Sequence, residues 1–189
     1  MTELPAVILA GGLATRMGGG DKGLRLWRGG TLLGAVIARI APQVALLALN
    51  ANGDPERFAA FGLPVLPDPL PGNPGPLAGV LAAMDWAAAL GCERVLTVPT
   101  DAPELPADLV RRLAATAPDK VAVAASADGT LHPTIALWPT GAAPALRAAL
   151  TRGDRRVRGF AEAHGLIAVP FPDADPDPFL NINHPGELG

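Results

Sequence analysis

Cysteine, membrane-length apolar runs and export signals are scarce or missing in this chain of 189 residues. Its single cysteine, Cys92, excludes an internal disulfide framework and suits a reducing compartment. Gly, Pro or Arg interrupts every apolar run before it reaches the roughly 18 residues that a membrane-spanning helix needs. We therefore expect a cytoplasmic protein with no membrane association.

Aromatic residues make up only 4% of the chain, and tyrosine does not occur. The core must then consist of Ala, Val, Leu and Ile, which suits a buried parallel sheet covered by helices. The net charge of −3 provides no general basic surface, so we expect no nucleic-acid partner. The histidines are scattered and form no cluster with Cys at metal-ligand spacing, so no transition-metal site is expected.

Apolar segments typical of buried strands alternate with helical segments, which predicts an α/β fold. With 49% hydrophobic residues, the chain is long enough for one core, and we predict a single domain, 1–189. The predicted architecture is a three-layer α/β/α arrangement around a mostly parallel, Rossmann-like sheet. Strands are expected at 5–9, 44–49, 64–66, 94–98, 121–125, 135–138 and 167–171, with helices at 32–41, 55–61, 76–90, 106–113, 143–150 and 155–164.

A glycine-rich loop follows the first predicted strand and contains the motifs LAGG (9–12), RMG (16–18) and DKG (21–23). Glycine lets backbone N–H groups approach a phosphate chain without a Cβ in the way. Lys22 is one of only two lysines among fifteen Lys and Arg residues, and its compact ammonium can follow a phosphate during a reaction. The loop therefore predicts phosphate binding, with an ordinary surface turn as the other interpretation.

Two common phosphate-binding loops do not match this segment. In the loop of nucleoside triphosphate kinases, the lysine follows Gly and precedes Ser or Thr, whereas Lys22 lies between Asp21 and Gly23. The dinucleotide pattern G-x-G-x-x-G is also missing after the first strand.

Four residues stand at the carboxyl ends of different predicted strands: Gly11, Asn50, Asp68 and Asp101. Ligands bind at this edge of open parallel sheets, so we expect the four to line one crevice. Each polar side chain alone also suits an ordinary turn or helix cap.

A triphosphate in this crevice requires a divalent cation, and Asp101 is the candidate Mg²⁺ ligand. Arg16 and Lys22 would neutralise the charge that builds up as a phosphoryl centre is attacked. These residues favour phosphoryl or nucleotidyl transfer, in which positioning and electrostatics provide most of the rate enhancement. We therefore identify Arg16, Lys22 and Asp101 as candidate catalytic residues.

Motifs along nearly the whole chain resemble those of molybdenum cofactor guanylyltransferases. The opening motif also resembles the wider nucleotidyltransferase superfamily, and the later motifs make the resemblance specific. In chain order, the motifs that carry the resemblance are LAGG (9–12), RMG (16–18), DKG (21–23), GPLAG (75–79), PTD (99–101), HPT (132–134), RRV (155–157) and NIN (181–183).

The resemblance implies a nucleotidyltransferase-type fold that transfers GMP from GTP to the terminal phosphate of molybdopterin or the molybdenum cofactor. The products are molybdopterin guanine dinucleotide and pyrophosphate, and the implied cofactor is Mg²⁺. The resemblance also implies two halves of the domain: a GTP-binding half, about 1–105, and a molybdopterin-binding half, about 106–189. Transient docking to molybdoenzymes or other cofactor-biosynthesis proteins is also expected.

The candidate binding residues follow from the same resemblance. Two exposed arginines on a helix are also ordinary solvated charge, and the two asparagines also suit a plain turn. In the first half the candidates are Leu9, Ala10, Gly11, Gly12, Lys22, Asn50, Asp68, Pro76, Leu77 and Asp101. In the second half they are His132, Arg155, Arg156, Asn181 and Asn183.

Other functions remain open from the sequence. A CTP-using molybdopterin cytidylyltransferase or a sugar-1-phosphate nucleotidyltransferase shares the nucleotide-binding half, although Gly12 favours GTP. We expect backbone groups of the glycine loops to select guanine. A non-catalytic nucleotide-binding protein that delivers the cofactor is a third hypothesis, against which the presence of both Lys22 and Asp101 counts.

Overall fold

A computed structural model describes residues 4–11, 21–72, 75–172 and 177–182. Three candidate site residues, Gly12, Arg16 and Asn183, lie outside the described residues. Within these ranges, seven strands form one sheet: β1 (Pro5–Leu9), β4 (Leu46–Asn50), β5 (Val65–Leu66), β6 (Arg94–Pro99), β7 (Ala122–Ala125), β8 (Leu131–Pro139) and β9 (Ile167–Pro170). A separate pair consists of β2 (Leu26–Trp27) and β3 (Gly30–Thr31). The strand order in the sheet is β5-β4-β1-β6-β8-β7-β9.

The sheet is mostly parallel, as the sequence predicts. Strand β1 pairs in parallel with β4 and β6, and the pairs β4–β5 and β7–β9 are also parallel. Strand β8 is the exception and runs antiparallel to both β6 and β7. A tight turn at Asp128 and Gly129 joins β7 to β8, and Gly129 has a φ of +85°. Such a short connection can join only antiparallel neighbours.

Helices cover both faces of the sheet and confirm the three-layer architecture. Alternate side chains of β1 enter different cores: Ala6 and Ile8 contribute to one, and Val7 to the other. Helices α1 (Leu32–Ile40) and α3 (Leu109–Ala114) pack on the first face. The second face carries α2 (Pro76–Ala89), α4 (Ala143–Thr151) and α5 (Val157–Ala163). None of these helices is long and apolar enough to cross a membrane.

The helices begin where capping groups are available. Helix α1 begins after Thr31, whose hydroxyl accepts a hydrogen bond from the Gly34 amide at 3.0 Å. Helix α2 begins at Pro76, which follows Gly75 with a φ of +84°. The segment Pro55–Phe61 forms a 3₁₀ helix, and Asp54 caps it by accepting a hydrogen bond from the Glu56 amide.

Two predicted helix starts are wrong. Helix α3 begins at Leu109 rather than at 106, because the Val110 amide donates to the Gln43 side chain instead of to the Pro106 carbonyl. Helix α5 begins at Val157, so Arg155 and Arg156 precede the helix instead of lying on it.

The strand predicted at 135–138 begins earlier in the structure, so the HPT motif (132–134) lies within β8. The pairing with β7 shifts there, from Val123 opposite Ala136 to Ala124 opposite His132, so residues 133–135 form a bulge. Proline has no N–H group to donate across a ladder, which explains a bulge at Pro133. The bulge re-orients the side chains at this end of β8.

A buried hydrogen-bond chain joins this bulge to the central sheet. The indole N–H of Trp138 donates to the Thr97 hydroxyl at 2.8 Å, and that hydroxyl donates to the Thr134 carbonyl at 3.0 Å. Thr97 and Trp138 are both fully buried. One buried hydroxyl therefore satisfies both the buried indole N–H and the Thr134 carbonyl.

Thr97→Val keeps the side-chain volume and removes both hydrogen bonds. We expect it to lower the free energy of unfolding by about 1–3 kcal/mol, because the buried indole N–H loses its acceptor. Urea unfolding followed by tryptophan fluorescence measures the change. Thr97→Ser is the control that keeps the hydroxyl, and an equal loss in both variants would contradict the assignment.

Candidate active site

The carboxyl edge of the sheet brings together residues from four loops. Gly11 lies two residues beyond β1, Asn50 ends β4, Asp68 lies two residues beyond β5, and Asp101 lies two residues beyond β6. These four strands are neighbours and all run parallel, so their carboxyl ends meet at one edge. The edge is therefore built from residues distant in sequence, in the position where α/β sheets bind ligands.

A cavity of about 620 Å³ opens at this edge, within the range typical of small-molecule sites. Its lining combines the end of β1, the turn after β4 and the proline-rich loop after β5. The lining residues are Gly11, Asp21, Asn52, Arg57, Asp68, Pro69, Leu70, Pro71 and Gly72. Prolines limit the conformations of that loop, so the cavity wall is largely pre-formed.

Lys22 and Asp101 form an ion pair beside this cavity. Lys22 Nζ lies 2.8 Å from Asp101 Oδ2, and the side chains are 16% and 20% exposed. A Cβ on Gly23 would stand 3.1 Å from the methyl group of Thr100, so glycine allows the two loops to approach closely. The other carboxylate oxygen, Asp101 Oδ1, is buried and has no hydrogen-bond partner among the described residues.

Two asparagines hold the carboxylate of Asp68. Asn50 donates to Asp68 Oδ1 at 2.9 Å, and Asn52 donates to Asp68 Oδ2 at 2.8 Å. The side-chain oxygen of Asn52 accepts a hydrogen bond from the Asp68 backbone amide. The Asn50 side chain also donates to the Leu66 carbonyl, and the backbone carbonyl of Asn50 accepts a hydrogen bond from the Ala10 amide. The network fixes Asp68 in one orientation.

Helix α2 packs directly against Asn50. A Cβ on Gly79 would stand 2.3 Å from Asn50 Oδ1 and 2.8 Å from a Leu9 methyl group. Glycine in the GPLAG motif (75–79) therefore makes room for the side chain that orients Asp68. At the start of the same helix, Leu77 is fully buried and Pro76 is exposed.

Arg57 connects Asp21, the residue before Lys22, to Asn52 in the turn after β4. Its guanidinium donates to Asp21 Oδ2 at 2.6 Å and to the Asn52 carbonyl at 2.5 Å. Sequence reasoning missed Arg57 and Asn52. Asn52 lies two residues beyond a candidate and could have been included, but Arg57 pairs with a residue 36 positions away and has no local signal.

A second polar group lies at the same edge in the other half of the chain. The Ser126 hydroxyl lies 2.6 Å from His132 Nε2 and 2.6 Å from Asp177 Oδ2. Burial lowers the pKa of His132, an effect that Asp177 and Asp128 oppose through their negative charges. Ser126 and Asp177 carried no signal in the sequence, because three separate segments contribute this group.

The remaining candidates of the second half have different surroundings. The Arg155 guanidinium donates to the carbonyls of Leu150 and Asp154, at the carboxyl end of α4. Arg156 is exposed and immediately precedes α5. Asn181 is exposed beside Ile182, whose amide donates to the Asp101 carbonyl at 2.8 Å. Asn181 thus precedes a residue that contacts Asp101, whereas the hydrogen bonds of Arg155 lie at the end of α4.

Comparisons with known proteins show which family this chain resembles. The family model described as a MobA-like NTP transferase domain matches residues 6–167. A molybdenum cofactor guanylyltransferase of Mesorhizobium japonicum is 50% identical over 98% of this chain and 93% of its own length. One from Rhodopseudomonas palustris is 54% identical over 97% of this chain and 90% of its own length. The chain belongs to the molybdenum cofactor guanylyltransferase family.

Solved structures agree with the fold of this family. Molybdopterin-guanine dinucleotide biosynthesis protein A from Archaeoglobus fulgidus superimposes with a TM-score of 0.76 over 98% of this chain and 95% of its own. Its sequence identity is 20%, so the similarity concerns the fold. The sequence comparisons therefore show the family of this chain, and the structural comparison shows its fold.

Gly79→Ala tests the contact between α2 and Asn50. Alanine normally stabilises a helix relative to glycine by about 1 kcal/mol, but here we expect destabilisation because the new methyl group displaces Asn50. The matched control is Gly159→Ala in α5, where the nearest atom to an added Cβ is 3.6 Å away. Thermal unfolding should show opposite signs for the two variants, and stabilisation by both would disprove the contact.

Proposed function

We propose that this chain transfers GMP from GTP to the terminal phosphate of molybdopterin or the molybdenum cofactor at the carboxyl edge of its sheet. The observation that carries the proposal is the Lys22–Asp101 pair beside the cavity, in a chain about half identical to guanylyltransferases over nearly its whole length. The first half of the chain would bind GTP and the second half the acceptor. A cytoplasmic location and transient docking to molybdoenzymes or other cofactor-biosynthesis proteins belong to the same proposal.

The Asp68 carboxylate, rather than the backbone groups of the glycine loops expected from the sequence, is our candidate for recognising guanine. Guanine presents two adjacent donors, its ring N–H and its amino group, and a carboxylate accepts from both. Cytosine presents one amino donor beside an unprotonated ring nitrogen, which a carboxylate repels. Asn50 and Asn52 already fix the orientation of Asp68, so little conformational entropy remains to be lost on binding.

The phosphates of GTP would lie between Gly11 and Lys22. Gly11 carries no Cβ toward the crevice, so backbone groups can approach the phosphates closely. Lys22 would exchange its contact with Asp101 for a phosphate oxygen and neutralise charge as pyrophosphate departs. Arg57 keeps Asp21, the neighbour of Lys22, paired, so this carboxylate does not oppose an incoming phosphate as a free charge.

Asp101 fits a Mg²⁺ ligand. Its Oδ1 atom is a buried carboxylate oxygen without a hydrogen-bond partner among the described residues, an arrangement that is costly unless a cation satisfies it. Mg²⁺ commonly takes one or two carboxylates and completes its shell with phosphate oxygens and water. When bound, it would reduce the negative charge of the triphosphate and favour departure of pyrophosphate.

Pyrophosphate release in the presence of molybdopterin, Mg²⁺ and one triphosphate at a time tests the function. We expect turnover with GTP, little with CTP, and none after chelation of the metal. Turnover with CTP alone would overturn the choice of nucleotide. Binding of GTP without pyrophosphate release would favour a delivery protein instead.

Asp68→Asn replaces an acceptor by an amide and tests the recognition of guanine. We expect the discrimination between GTP and CTP in kcat/KM to fall by about 1–3 kcal/mol, as for loss of a bidentate base contact. Asp119→Asn, at an exposed site distant in the chain, serves as the control. Unchanged discrimination in the Asp68 variant would assign guanine selection to other groups.

Lys22→Ala tests the proposed role of the ammonium group. We expect a loss of about 2.7–4 kcal/mol in transition-state stabilisation, as for removal of one preorganised donor elsewhere. Lys120→Ala removes the only other lysine, which pairs with Asp119, and should leave kcat/KM unchanged. Equal activity of the two variants would exclude the catalytic role.

A further inference from the structure

Ser126, His132 and Asp177 form a linear chain of hydrogen bonds that the proposed chemistry does not yet use. Ser126 is only 5% exposed and lies between the other two side chains at 2.6 Å from each. Asp177 is fixed in turn, because its Oδ1 atom accepts a hydrogen bond from the Phe179 amide at 2.9 Å. The three residues come from the end of β7, the start of β8 and the segment 177–182.

The direction of these hydrogen bonds follows from the donors available. A carboxylate only accepts, so the single hydroxyl proton of Ser126 points toward Asp177. The Ser126 oxygen must then accept from His132, which places a proton on His132 Nε2. In a neutral imidazole the other nitrogen, Nδ1, is consequently unprotonated and an acceptor.

The surroundings of His132 favour this neutral form and hold the ring in place. Burial lowers its pKa, although Asp177 and Asp128 oppose the shift. The ring packs against Phe179 with the two centroids 4.8 Å apart, and Phe179 is almost fully buried. Within the described residues, Nδ1 makes no hydrogen bond.

We propose that Ser126 and Asp177 are positioning residues that hold His132 in its Nε2–H tautomer, so that Nδ1 accepts a hydrogen bond from an N–H group of the acceptor's pterin ring. This inference rests on the proposed function. A fully ionised phosphate does not suit an unprotonated Nδ1, because its oxygens are also acceptors. The carboxylates of Asp128 and Asp177 near His132 further disfavour an anion and favour an N–H donor.

The segment 177–182 links this histidine site to the metal side of the crevice. Its first residue binds Ser126, and near its end the Ile182 amide donates to the Asp101 carbonyl at 2.8 Å. The segment therefore connects the hydrogen-bond chain of His132 directly to the loop that carries Asp101.

Asp177→Asn is the decisive variant because it keeps the side-chain shape and reverses the hydrogen bonds. The new amide oxygen still accepts from Phe179, while the amide NH₂ donates to Ser126. The Ser126 hydroxyl then donates to His132 Nε2, so the imidazole proton must move to Nδ1. That nitrogen becomes a donor and opposes the N–H group of the pterin.

Nitrogen-15 NMR of histidine-labelled protein measures the tautomer without any substrate. We expect the Nε2–H form of His132 in the wild type and the Nδ1–H form in Asp177→Asn. Loss of one signal set in His132→Asn assigns the resonances among the three histidines. An Nδ1–H tautomer in the wild type would overturn the inference, whether or not the enzyme is active.

Steady-state kinetics with GTP and molybdopterin provide the second readout. We expect Asp177→Asn to raise KM for molybdopterin roughly tenfold or more, with KM for GTP within about twofold of the wild type. An unchanged KM for molybdopterin in a folded, active variant would overturn the inference and leave the proposed function intact. Lack of turnover by the wild type would contradict the proposed function, with the tautomer still measured separately.

Ser126→Ala removes the hydroxyl that links His132 to Asp177, and the Asp177→Asn substitution can be repeated in this variant as a control. Without the hydroxyl, Asp177→Asn cannot reverse the imidazole, so the second substitution should change KM for molybdopterin by less than about twofold. Additive effects of the two substitutions would show that Asp177 acts independently of His132. Ser126→Ala also supplies the kinetic test if Asp177→Asn fails to fold.

Discussion

The ion pair between Lys22 and Asp101 is the contact on which the arrangement of the site depends. It joins the loop after β1 to the loop after β6, across 79 positions of sequence, at the edge where the two central parallel strands end. Both side chains are mostly buried, so each charge would be costly without the other. The fold therefore holds a cation and a carboxylate together at the place where a triphosphate and its metal would need them.

Asp101 serves both halves of the chain through different atoms. One carboxylate oxygen contacts Lys22, the other has no described partner, and the backbone carbonyl accepts from Ile182. Any displacement of this loop would move the nucleotide side and the segment 177–182 together. A transferase benefits from such a shared residue, because attack in line requires both reactants to be aligned at once.

The sequence predicted the α/β architecture, the mostly parallel sheet and the family, because strand alternation and contiguous motifs are local signals. It also placed Asn50, Asp68 and Asp101 at one edge, since each follows a recognisable strand. The antiparallel β8 and its bulge were missed, because a register shift depends on the pairing partner. Arg57, Ser126 and Asp177 were also missed for a similar reason. Their hydrogen-bond partners lie 36 to 51 positions away in the chain, so no local pattern marks them.

The two parts of the site differ in the charged groups that they contain. The proposed nucleotide side carries a cation, Lys22, paired with Asp101, and an anion, Asp21, paired with Arg57. The histidine side instead carries an imidazole whose pKa is lowered by burial and raised by two nearby carboxylates, surroundings that would suit a heterocycle with N–H donors better than a phosphate. If both substrates carry phosphate, this contrast gives each only one favourable orientation. Charge would then direct the phosphates toward Lys22 and Asp101, and the hydrogen-bond direction at His132 would fix the ring at the other end.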